Sequence, residues 1–101
     1  MDELEEAKKQ KEKTDAELKA VSITTDIEKL RQKVKTAEKA VALMEEEVTK
    51  YMELAEKKSD LSFVKTSNGL KRKSNETKQE IQMLNDQIAE LEKKRKTLIS
   101  A

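Results

Sequence analysis

The chain has no cysteine, no histidine, no tryptophan and no proline, and only one glycine among its 101 residues. Without thiols or imidazoles there is no soft metal site, no thiol chemistry, no Ser-His triad and no imidazole acid-base work. The missing cysteines also leave the redox compartment unreadable. Tyr51 and Phe63 are the only aromatic residues, and a compact globular core normally draws much of its buried area from rings, so such a core is not expected. Lack of proline and near lack of glycine remove the usual punctuation of turns and sheets. The longest apolar run, Ala40-Val41-Ala42-Leu43-Met44, is far short of the roughly 20 residues needed to span a bilayer. The acidic opening Met1-Asp2-Glu3-Leu4-Glu5-Glu6 is unlike a signal peptide, which starts basic and continues apolar. The expectation is an intracellular protein, cytoplasmic or nuclear, with no membrane contact, no cofactor, no metal and no enzymatic activity.

What is present is charge and good helix formers. Lys and Arg number 22 and Asp and Glu 21, together 43% of the chain, with 35% hydrophobic residues. A net charge of +1 gives no global attraction to nucleic acid or anionic lipid, so any such role falls to local clusters. The composition is that of long helices.

Two stretches carry the alternating three and four residue spacing of coiled-coil core positions. The first is Ala20, Ile23, Ile27, Leu30, Val34, Ala37, Val41, Met44, Val48, Tyr51 and Ala55. The second is Phe63, Ser67, Leu70, Ser74, Thr77, Ile81, Leu84, Ile88, Leu91, Arg95 and Leu98. Between them the periodicity lapses at Glu56-Lys57-Lys58-Ser59-Asp60, where Ser59 or Asp60 can cap a following helix. A chain reversal centred on Ser59 brings every core position of one set opposite one of the other. It sets Tyr51 against Ser67, Val48 against Leu70, Met44 against Ser74, Val41 against Thr77, Ala37 against Ile81, Val34 against Leu84, Leu30 against Ile88 and Ile27 against Leu91. Large residues meet small ones in several layers, which fills space without clashes. The flanking charges agree: Glu45 faces Lys78, Arg31 faces Glu92, Glu47 faces Lys73 and Asp26 faces Lys94. Other flanking pairs, such as Lys33 with Gln87 and Glu38 with Asn85, are not repulsive. A competing turn at Ser67-Asn68-Gly69 has stronger local turn chemistry. It sets Met44 against Arg95 and strands Leu61, Phe63 and Val64 in a loop, so the reversal at Ser59 is preferred, with a kink near Gly69 left open.

The fold class expected is therefore all-α: an antiparallel coiled-coil helical hairpin of two long helices, about 20 to 58 and 60 to 99, with an N-terminal helical extension. Residues 1–19 form that extension, helical or frayed, and 20–101 the hairpin, with its turn near 58–61. Continued backwards, the core positions become Ala16, Lys13, Lys9, Glu6 and Asp2, so the seam ends near Ala16. Ser22-Ile23-Thr24-Thr25 is a row of poor helix formers with a capping-box pattern, Thr25 followed by Glu28. The first helix either runs through this segment or restarts near Thr25. Leu4, Leu18 and Val21 lie on another face.

Few constellations carry chemistry. Glu45-Glu46-Glu47 points in directions about 100° apart on a helix and reads as a solvated charged face. The basic clusters Lys71-Arg72-Lys73 and Lys93-Lys94-Arg95-Lys96 admit a nuclear-import or phosphate-contacting role, but no aromatic platform accompanies them. Ser67, Ser74 and Thr77 read as small packing partners for Tyr51, Met44 and Val41. Arg95, at a core position, is expected to reach for water. The clearest interaction candidate is the hairpin tip, where Met52, Leu54, Leu61, Phe63 and Val64 gather apolar side chains that a third or fourth helix would cover.

The stretch Ala55-Glu56-Lys57-Lys58-Ser59-Asp60-Leu61-Ser62-Phe63-Val64-Lys65-Thr66-Ser67-Asn68-Gly69-Leu70-Lys71-Arg72-Lys73 resembles helical-hairpin segments near the C-terminal ends of uncharacterised, transposon-derived animal proteins. That resemblance covers about a fifth of the chain. It implies an appended association module and transfers no catalytic residue.

The function expected is non-enzymatic: a coiled-coil protein-binding or oligomerisation module and scaffold. Its partner is either a second hairpin, giving a dimer of hairpins, or another helical protein. The alternative is a nuclear accessory segment that contacts nucleic acid through its basic clusters.

Overall fold

The computed structural model describes residues 2–100. It consists of two α-helices, α1 (Asp2–Lys58) and α2 (Leu61–Ser100), packed against each other as an extended antiparallel hairpin. Met1 and Ala101, the outer bounds of the ranges read from the sequence, lie outside the described residues. The long dimension is 86 Å and the other two are 14 Å, which matches the 57 residues of α1 at ~1.5 Å rise per residue. α2 has 40 residues and runs about 60 Å by the same rise. α1 therefore projects about 26 Å past the end of its partner.

The heptad positions form the seam. All members of both sets are buried or half-buried, while residues 3–15 are exposed and Ala16 is half-buried. The seam thus ends where its apolar repeat ends, and α1 continues beyond it as a solvated helix. Ile27, Val34 and Ile88 are buried together, with Ile23, Leu30, Ile81, Leu84 and Leu91 packed around them. This apolar cluster lies entirely in the half of the hairpin remote from the turn.

Two ion pairs confirm the register. Arg31 Nη2 lies 2.6 Å from Glu92 Oε1, and Lys78 Nζ lies 2.8 Å from Glu45 Oε1. The pairs expected for Glu47 with Lys73 and Asp26 with Lys94 are not closed within 4 Å. Exposed pairs of this kind gain little, because holding two long side chains in one geometry costs about as much as the contact returns.

α1 runs without a break through Ser22-Ile23-Thr24-Thr25. The capping box is unused, and the hydroxyls turn back along the helix instead: Thr24 Oγ1 donates to the Ala20 carbonyl at 3.0 Å and Thr25 Oγ1 to the Val21 carbonyl at 3.2 Å. Such back-bonding satisfies the hydroxyl without interrupting the helix. α2 likewise continues through Gly69, where an added Cβ would meet nothing within 4 Å.

Candidate interaction surface at the hairpin tip

The chain reverses in two residues. Ser59 closes α1 in the left-handed region, with φ 50°, a conformation that costs a residue bearing a Cβ about 1 kcal/mol or more. Asp60 then caps α2, its Oδ1 accepting from the Ser62 backbone N–H at 2.9 Å. That bond, joined by one from the Ser62 hydroxyl and by the nearby Lys58 charge, holds the Asp60 carboxyl below the ordinary carboxylate range against a small opposing effect of burial.

Above the turn, the rings of Tyr51 and Phe63 stack across the seam, with centroids 6.1 Å apart and planes inclined by 24°. Leu54 and Val64 are half-buried beside them. Met52 and Leu61 are not covered: they remain 41% and 77% exposed. The five apolar tip residues thus divide into three that the hairpin partly covers (Leu54, Phe63 and Val64) and two that face solvent.

Beyond the stack, two buried seam positions of α2 are polar. Ser67 is fully buried and Ser74 nearly so. The Ser67 Oγ has no hydrogen-bond partner, unlike the threonine hydroxyls that bond to the carbonyl four residues back. Sequence reasoning placed Ser67 in the core as a packing partner of Tyr51. Nothing in the residue pattern separates a serine that bonds back along its helix from one that does not.

At the opposite end, Lys93, Lys94 and Lys96 are exposed, whereas Arg95 is half-buried and its Nη1 donates to Thr24 Oγ1 at 3.2 Å. The guanidinium is anchored across the seam instead of reaching only for water, so the basic cluster presents three lysines. Beside it, a notch of about 1120 Å³ opens where α2 ends, between Lys13, Ala16 and Ala20 of α1 and Leu98 and Ile99 of α2. Glu45, Glu46 and Glu47 are all exposed. Among the described residues no group of three or more acidic side chains converges to hold a metal ion, and no helix is long and apolar enough to cross a membrane.

No protein-family model matches the chain, and no curated protein or solved structure is significantly similar to it.

Proposed function

We propose that the chain is a coiled-coil module that holds protein chains together, and that two hairpins join through their tips into a four-helix arrangement. The observation that carries this reading is the exposure of Met52 and Leu61 beside the Tyr51 and Phe63 stack. Flanking positions in the middle of the hairpin hold charged residues that close ion pairs across the seam. At the tip they hold apolar residues, which widen the contact face in the way a third or fourth helix requires. A two-helix seam also leaves its side chains half wet, and packing a second hairpin against it adds burial that the lone hairpin lacks.

Sedimentation equilibrium tests the reading. The native chain is expected to show a concentration-dependent monomer-dimer equilibrium, and the double substitution Met52→Glu with Leu61→Glu is expected to shift it to monomer with unchanged helicity. A native chain that is monomeric at all concentrations contradicts it.

A further inference from the structure

The seam accepts a second register, and the flanking charges allow it in one direction only. Sliding α2 by one heptad toward the N-terminus of α1, about 10 Å at the helical rise, keeps core positions facing core positions. Ile23 then meets Ile88, Ile27 meets Leu84 and Leu30 meets Ile81, so much of the apolar cluster pairs again within itself. Val41 gains Leu70 and Val48 gains Phe63. Among flanking residues, Glu38 comes to face Lys78, Glu45 faces Lys71 and Lys33 faces Glu80, against one like-charged pair, Lys19 with Lys94. Sliding the other way opposes Glu38 to Glu92, Lys33 to Lys94 and Glu47 to Glu80, with no opposite-charged pair in return.

Two features of the molecule fit such a movement. α1 projects beyond α2 as continuous helix, with an open notch at the step, so the end of α2 has a surface on which to advance. On α2, three of the five seam positions nearest the turn are Ser67, Ser74 and Thr77, which have no bulky side chain to interlock with α1; the other two are Phe63 and Leu70.

We propose that the hairpin is a two-register device: seated as described, and slipped by one heptad with α2 advanced along the N-terminal overhang and the turn drawn back toward residues 52–59. The Ser59 reversal, the Asp60 cap and the Tyr51 and Phe63 stack hold the seated register at the tip. Slip dismantles all three. It also exchanges Met52's cross-seam neighbour from Lys71 to Val64, so the register controls which apolar residues the tip presents. That last link rests on the self-association reading, whereas the two registers themselves do not.

The absence of native cysteine permits a direct test by intramolecular thiol crosslinking of the full chain, read on the monomer-mass product. The pair Ala37→Cys with Ile81→Cys reports the seated register, and Ala37→Cys with Ser74→Cys the slipped one. Both pairs are expected to close, the second at lower yield. Arg31→Glu repels Glu92 when seated and faces Asn85 when slipped, so it raises the yield of the second pair about two- to fivefold, the range of one exposed ion pair. Lys33→Glu faces Gln87 when seated and Glu80 when slipped, so it lowers that yield by a similar factor. Failure of the second pair to close in every background, while the first closes, overturns the proposal. So does a shift in the same direction by both charge substitutions, which is what simple destabilisation would produce. Because the readout is confined to single chains, it is independent of whether hairpins associate.

Discussion

Far from the turn, Ile27 is 1% exposed and shares a cluster with Val34 and Ile88. Near the turn, the buried positions of α2 are Ser67 and Ser74, and apolar seam residues such as Met44, Val48 and Leu70 are only half-buried. The same heptad repeat thus builds two kinds of seam. The open half derives its stability from buried aliphatic area, which scales with the surface removed from water. The tip half adds the turn and one ring stack to a seam whose apolar members, Val41 apart, are only half-buried.

The largest effect expected from breaking this contrast is in the open half. Ile27→Ala should cost about 3 kcal/mol, the range for truncating a buried aliphatic side chain. Val48→Ala, half-buried in the tip half, should cost about 1 kcal/mol. Urea denaturation monitored by helicity measures both, and equal losses would erase the distinction between the halves.

Next in size is Ser67→Ala, which removes a buried hydroxyl without a partner and should stabilise the chain by about 1 kcal/mol. A loss of stability would mean that the hydroxyl makes a bond in solution. Gly69→Ala should stabilise by a similar amount, about 1 kcal/mol, because Gly69 lies within a helix and an added Cβ enters open space. Thermal unfolding of the two variants gives the comparison.

The smallest effect concerns the cap. The Asp60 carboxyl is held below its ordinary value, so its contribution is fully present above the unfolded-state pKa and is lost as the pH falls through the lowered folded-state value. Asp60→Asn should flatten that acid limb of the stability profile and leave neutral pH nearly unchanged, since asparagine also caps. An unaltered acid limb would place the loss on other carboxylates.

Much of this architecture was legible in the residues because it is one-dimensional. Heptad spacing located both helices, the lapse at Glu56 to Asp60 located the turn, and opposite charges selected the register that Arg31 with Glu92 and Glu45 with Lys78 display. Features set by side-chain rotamers were not legible. Thr24 and Thr25 looked like a restart point, yet their hydroxyls bond backwards and the helix continues. Arg95 looked bound for solvent, yet Thr24 lies within its reach across the seam. At the tip, the residue types marked an apolar group without showing that Leu54, Phe63 and Val64 are half-buried while Met52 and Leu61 stay exposed.

The contrast between the halves, together with the proposed association through the tip, is tested most directly by residue-resolved amide hydrogen exchange at several protein concentrations. Amides around Ile27 to Val34 and Ile81 to Leu91 should be the slowest at every concentration, while those around Met44 to Leu70 should exchange faster in dilute solution and slow as concentration rises. Uniform protection along both helices, unchanged with concentration, would contradict both the uneven seam and the associating tip.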